Sequence, residues 1–219
     1  MKRTEDLIAE LAADDAPVPR FPRPTGMFGC WLVVAVVAIT LFVALMGARA
    51  DLAARLADAR FVIDIALALA TGLGAAWAAI MSALPGRPRW QRLLPLIPTL
   101  LWLVSLVYGA LPDKAPFQPD FVCLPLIAAM AALPSLVLVL VMRRGYVLSP
   151  CFGMFLAVGA SASVAYIGLR FVHMEEAGRM IFVWQFGSVA LVSLMASCFG
   201  GHLFRHGASL KPNDARSGP

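Results

Sequence analysis

The sequence predicts an all-α polytopic membrane protein: a bundle of six transmembrane helices preceded by a short amphipathic helix. Three observations carry that expectation. Charged residues make up 14% of the 219 positions, well under the roughly 25% of soluble domains, and mean hydropathy is +0.80. Six apolar runs stand out, at about 27–48, 61–84, 93–112, 121–142, 150–172 and 180–203, each reaching the ~20 residues that cross a hydrocarbon core as a helix. The runs are continuous rather than alternating, which argues against barrel strands. Backbone polar groups in lipid must bond within their own segment, so helices are the expected form. Residues 1–26 then form an arm and spacer, 27–203 the membrane domain and 204–219 a tail.

The arm is the one stretch that clearly belongs in water. Thr4 is placed to cap a helix, with Glu5 and Asp6 in its positive first turn. Leu7, Ile8 and Leu11 share one face at helical spacing, and Glu10, Asp14 and Asp15 extend the acidic character. Prolines at 17, 19, 22 and 24 end the helix and make a semi-rigid spacer. A helix of about ten residues is marginal alone and orders on a partner. The reading is a docking helix for a basic, partly apolar protein, with Glu5, Asp6, Leu7, Ile8, Glu10 and Leu11 as the partner-binding residues. A frayed end without a role is the bland alternative. A helix lying on lipid would carry Lys and Arg on its polar face, and this one carries mainly acids.

The first apolar run starts late, is long and has no small-residue cleavage site behind it, so it is expected to stay as a span. The second (ALATGLGAAWAA, 68–79) and fifth (AVGASASVA, 157–165) are rich in small residues that let helices approach closely. Internal packing is their ordinary use and dimerisation the alternative. Asp64 is essentially the one acid within the spans and is read as marking a span boundary. Pro95, Pro98, Pro125 and Pro134 punctuate the third and fourth runs. His202 and His206 are four apart at the end of the sixth run, where snorkelling at the interface is the ordinary account. Loops are short throughout, so none holds a folded domain.

With the N-terminus inside, twelve Lys and Arg fall on the inner side and six on the outer. The positive-inside rule therefore favours both termini in the cytoplasm. The net charge of +5 is a topology signal; no basic cluster is interleaved with aromatics as in a nucleic-acid surface, so no direct nucleic-acid contact is expected. There is no HExxH or GxSxG motif, which argues against an enzyme. A small transporter or channel is the alternative function, disfavoured by so few ionisable residues inside the spans and by the lack of an internal repeat.

Five segments occur in order: TEDLIAELAADDAPVPRFPRP (4–24), ALPGRPRWQRLLP (83–95), CLPLIAAMAALP (123–134), RRGYVLSP (143–150) and the VW of FVWQFG (182–187). Together they resemble the NrsF family of six-span inner-membrane anti-sigma factors, over about residues 3–206. The resemblance implies that an extracytoplasmic-function sigma factor is sequestered on the cytoplasmic face and released on an envelope, metal or oxidative signal. It also implies two outer-side cysteines. Cys123 matches the first, while His173-Met174 stands where the second would fall. Cys123, His173 and Met174 are thus the signal-sensing candidates, their thiolate, imidazole and thioether suiting a soft metal, with Glu175 or Glu176 adding charge. The plain alternative is a buried thiol, a surface histidine and a lipid-facing methionine. No resident cofactor is expected. Cys30, Cys151 and Cys198 lie near inner span ends in a reducing compartment and are read as packing residues.

Overall fold

In the computed structural model, the described residues are 3–5, 23–84, 86, 88–112, 121–145, 147, 149–174 and 177–205. They form six helices long and apolar enough to cross a membrane, and no strand occurs among them. Helix α1 is Pro24–Met46, α2 Ala59–Ser82, α3 Leu96–Ala110, α4 Cys123–Met142 and α5 Pro150–Val172. The sixth, α6, starts as Gly178–Met180, widens to a π-helix over Ile181–Phe186 and continues as Gly187–Arg205. A one-turn helix, Leu52–Arg55, lies between α1 and α2. With six helices running up and down in turn, Pro24 and Arg205 lie at one end of the bundle; the opposite end is the distal end.

Local chemistry sets the boundaries. Pro24 and Pro150 occupy first-turn positions of α1 and α5, where a missing N–H costs nothing. Gly47, at φ 83°, ends α1. Asp58 caps α2 by accepting from the Arg60 backbone N–H at 2.9 Å. Pro88 and Pro95 delay α3, so Arg89–Leu93 forms a 3₁₀ turn first. Pro134 sits inside α4, and the helix continues through it, as neighbouring helices allow in membrane bundles. The amphipathic arm helix cannot be compared: only Arg3 to Glu5 are described there, with Thr4 and Glu5 helical. Asp6, Leu7, Ile8, Glu10 and Leu11 lie outside the described residues.

Helix α5 is the hub. It is buried over most of its length and packs against α6, α2, α4 and α1. Its small residues explain this: Ala157, Ala160, Ser161, Ala162, Ser163 and Ala165 are all buried. On α2, a Cβ at Gly72 would meet Val164 Cγ2 at 2.9 Å and the Ala160 carbonyl oxygen at 3.1 Å. The small-residue runs therefore serve packing within the chain. Trp31 of α1 joins the hub, its indole N–H reaching Ser161 Oγ at 3.4 Å. The outer surface carries large exposed side chains, among them Val33, Leu45, Ile97, Val104 and Phe199, a girdle suited to hydrocarbon rather than water. Cys30, Cys151 and Cys198 are exposed on it, so they do not pack in the core as the sequence suggested.

Two adjacent glycines test the α5–α6 contact. A Cβ at Gly200 would meet the Pro150 carbonyl oxygen at 2.5 Å and Cys151 Cα at 2.9 Å, whereas a Cβ at Gly201 meets nothing within 4 Å. Gly200→Ala is expected to destabilise the bundle by about 1–3 kcal/mol through overpacking. Gly201→Ala should be neutral or stabilising by up to about 1 kcal/mol from helix propensity. Unfolding of the two variants in detergent should therefore shift in opposite directions; equal shifts would refute this packing.

The distal loop after α1 is tied to α5. Arg49 is buried, its N–H donating to the Phe171 carbonyl at 2.9 Å and its guanidinium to the His173 carbonyl at 3.2 Å. The same guanidinium forks onto Asp51 at 2.7 and 3.0 Å, and Arg55 adds a bond at 3.3 Å. Arg49, and then Arg55, hold the Asp51 carboxyl down at about 2. A carboxyl lowered on folding contributes its stabilisation above the unfolded value near 3.9 and loses it as pH falls through the folded one. Protection of the 47–58 loop from hydrogen exchange, corrected for intrinsic rates, should therefore fall between about pH 4 and pH 2. Asp51→Asn should flatten that profile; an unchanged profile in the variant would sink the assignment.

Candidate functional site: a buried charge cluster under a distal pocket

The strongest concentration of chemistry is inside the distal half of the bundle. Asp64 lies five residues into α2, about 7.5 Å along the axis from its start, and is 5% exposed. Its Oδ1 accepts from the Trp102 indole N–H of α3 at 2.7 Å. Its Oδ2 accepts from the Tyr166 hydroxyl of α5 at 2.5 Å. Arg170, one turn further along α5 and 4% exposed, brings its Nε to 3.5 Å from the same oxygen. The Arg170 guanidinium also stacks over the Phe61 ring at 5.0 Å, a cation–π contact that desolvation strengthens. Three side chains, one from α3 and two from α5, thus meet on one carboxylate of α2. Asp64 is therefore not a boundary residue, as the sequence suggested, but a strut inside the bundle.

Above the cluster, the distal surface opens into a pocket of about 190 Å³. Asp64 and Arg170 line it, with Arg55, Asp58 and Arg60 from the loop side and Ser105, Gly109 and Gly178 from the α3 and α6 ends. Gly178 is required there, because a Cβ would run into the Gly109 carbonyl oxygen. Below the cluster, Ala68, Trp102, Ala162 and Ala165 belong to an apolar core. Trp102 makes edge contacts with Tyr166 at 4.9 Å and with Phe186 at 5.0 Å. Phe186 ends the π segment, and its neighbour Gln185 is 0% exposed with neither amide atom hydrogen-bonded. A π segment with an unsatisfied polar side chain is a feature that recurs at functional sites.

The sensing candidates are near this region but differ in environment. Cys123 starts α4, is 1% exposed and belongs to the same apolar core as Trp102 and Tyr166. His173 follows α5 and is half-buried, while Met174 is 62% exposed. Glu175 and Glu176 lie outside the described residues. Among the described residues, no three His, Cys, Asp or Glu side chains gather as a metal would require. At the opposite end, Arg143 and Arg144 are exposed after α4 and Arg92 is half-buried before α3.

A family model described as NrsF, negative regulator of sigma F, matches residues 11–206. The chain belongs to the NrsF family. The match covers the proline spacer and all six helices, and it starts at Leu11, after most of the arm's expected binding face. No curated protein and no solved structure is detectably similar to the chain. A regulator of this NrsF type has a sigma factor as its partner. The charge cluster escaped the sequence reading because Trp102 and Tyr166 lie 38 and 102 positions from Asp64. The available signal was an Asp and an Arg both placed within apolar runs, which by itself marks an intramembrane site.

Proposed function

We propose that this chain is a membrane-bound anti-sigma factor of the bacterial inner membrane, multi-pass, with both termini in the cytoplasm. It sequesters an extracytoplasmic-function sigma factor on the cytoplasmic side and releases it on an envelope, metal or oxidative signal. The observation that carries the reading is the NrsF match across the whole bundle. The excess of Lys and Arg on the side of the termini supports the orientation. The arm, through Glu5, Asp6, Leu7, Ile8, Glu10 and Leu11, is one part of the grip. Arg87, Arg89, Arg92, Arg143 and Arg144 flank it on the short inner loops. No catalysis and no direct nucleic-acid contact are assigned.

Signal input belongs at the distal end. A group that takes Arg170 away from Asp64, or that changes Cys123 within the same core, alters the seat of Trp102. Trp102 leans on Phe186 at the end of the π segment, so α6 and its inner end respond. Moving a bound population to a mostly free one takes a few kcal/mol of differential stabilisation, on the scale of one buried ion pair. The buried pair also bears on the transporter alternative, since intramembrane charges often line a substrate path. The apolar residues beneath Asp64 argue for a strut instead.

The deciding experiment is co-expression with the cognate sigma factor, sought first in the adjacent reading frames. The sigma factor should fractionate with membranes only when this chain is present, and its promoter output should fall. A sigma factor that stays soluble and fully active would overturn the reading.

A further inference from the structure

A second cavity lies on the side of the bundle, between α2, α3, α5 and α6, with a volume of about 320 Å³. Ligand sites start at this size. Its walls are almost wholly apolar, from Leu96 and Trp102 on α3, Phe152 and Phe155 on α5, and Phe186 and Val189 on α6. Of the five polar side chains in the lining, Thr99, Ser163 and Ser193 return their hydroxyls to backbone carbonyls of their own helices or turn, and Arg92 and Thr71 stand apart. Arg92 stands at the rim, half-buried, at the end that carries the termini. Apart from Glu5 in the arm, the described carboxylates are Asp51, Asp58 and Asp64, all in the distal part of the chain, so Arg92 has no carboxylate partner among the described residues. Deeper in, the Thr71 hydroxyl lines the cavity, buried and without a hydrogen bond.

The dimensions fit one class of occupant. From Arg92 to Trp102 is ten residues, the end of the 3₁₀ turn and then regular helix from Leu96, together about 15 Å, and half of a ~30 Å hydrocarbon core is the same depth. Beside Arg92, Trp90 is exposed, as aromatic residues are at the headgroup level. A cation at headgroup height above an apolar slot one leaflet deep matches an anionic headgroup with its acyl chain beneath. We infer that this cavity holds one acyl chain of an anionic phospholipid from the leaflet on the side of the termini, with its phosphate on Arg92. The site is separate from the distal pocket and does not depend on the identity of the regulated partner. Trp102 is shared: its ring walls this cavity while its N–H holds Asp64.

The full chain, reconstituted in nanodiscs and released for native mass spectrometry, tests this with phosphatidylglycerol, phosphatidylethanolamine and oleate as probes. One phosphatidylglycerol should be retained about fivefold in preference to phosphatidylethanolamine, the worth of one basic side chain near an anionic surface. Arg92→Gln should erase that preference and Arg92→Lys should keep it. Ala190→Phe, which fills the slot from α6, should lower retention of both lipids. Equal retention of the two lipids by the wild type overturns the inference, as does an unchanged preference in Arg92→Gln. Oleate displacing phosphatidylglycerol would make the occupant a free fatty acid and overturn it too.

Discussion

Deletion of residues 1–16 is expected to free the sigma factor while leaving membrane insertion intact. The six apolar helices start at Pro24, so the deletion removes no part of a span. It removes the acidic face and all three aliphatic anchors, Leu7, Ile8 and Leu11. Burying each anchor is worth at most about 1.5–3 kcal/mol, and ordering a disordered segment costs about 2–5 kcal/mol. The net contribution is then about 3 kcal/mol, so affinity should fall on the order of 100-fold. A micromolar complex needs about 8 kcal/mol, so on this reading the inner basic loops or the proline spacer contribute the rest. Pull-down and promoter output, with membrane localisation as the control, give the result. A deletion variant that still captures and inhibits the sigma factor at wild-type strength removes the arm from the mechanism. A shorter deletion, residues 1–10, then separates the segment ahead of the family match from the matched spacer.

Breaking the distal ion pair should have the largest effect on the bundle itself. Asp64→Asn leaves Arg170 charged and buried, and Arg170→Met leaves the carboxylate with only Trp102 and Tyr166. Each single change is expected to cost about 3–5 kcal/mol, as for other buried pairs that lose one partner. The double variant Asp64→Asn with Arg170→Met removes both charges and should cost less than the sum, with a coupling of about 0.5–3 kcal/mol. Unfolding in detergent measures this directly. In cells, the single variants should raise sigma-dependent output without any signal. Additive losses, or single losses below about 1 kcal/mol, would show that the pair is not a strut.

Most of the architecture was legible because hydrocarbon thickness fixes span length. The fifth span was drawn at 150–172 and the helix is Pro150–Val172, since Pro150 opens it and polar residues follow it. The third was drawn from 93, and regular helix starts only at Leu96, because Pro88 and Pro95 impose the 3₁₀ turn between them. The π segment left no trace, as residues 181–186 are apolar with one Gln and match an ordinary helix. The site was less legible. Arg170 was counted as an outer cation, the natural reading for a charge two residues from a span end. It turns inward because Asp64 lies within reach of its long side chain and Phe61 offers a ring face. The partner face of the arm was read from residues that mostly fall outside the described ones.

The distance in sequence between Asp64 and Arg170 also bears on biogenesis. The helix carrying the acid emerges from the ribosome well before the helix carrying its counter-ion. At 5–20 residues per second, roughly 106 positions translate into about 5–20 s of synthesis. During that interval a lone carboxylate sits in a newly inserted span, at a cost on the order of 2.5–3.5 kcal/mol were it at the membrane centre. Polypeptides that stop before the fifth helix never find their arginine. Such fragments keep an acid without its counter-ion inside an apolar helix, a cost that only the complete chain relieves.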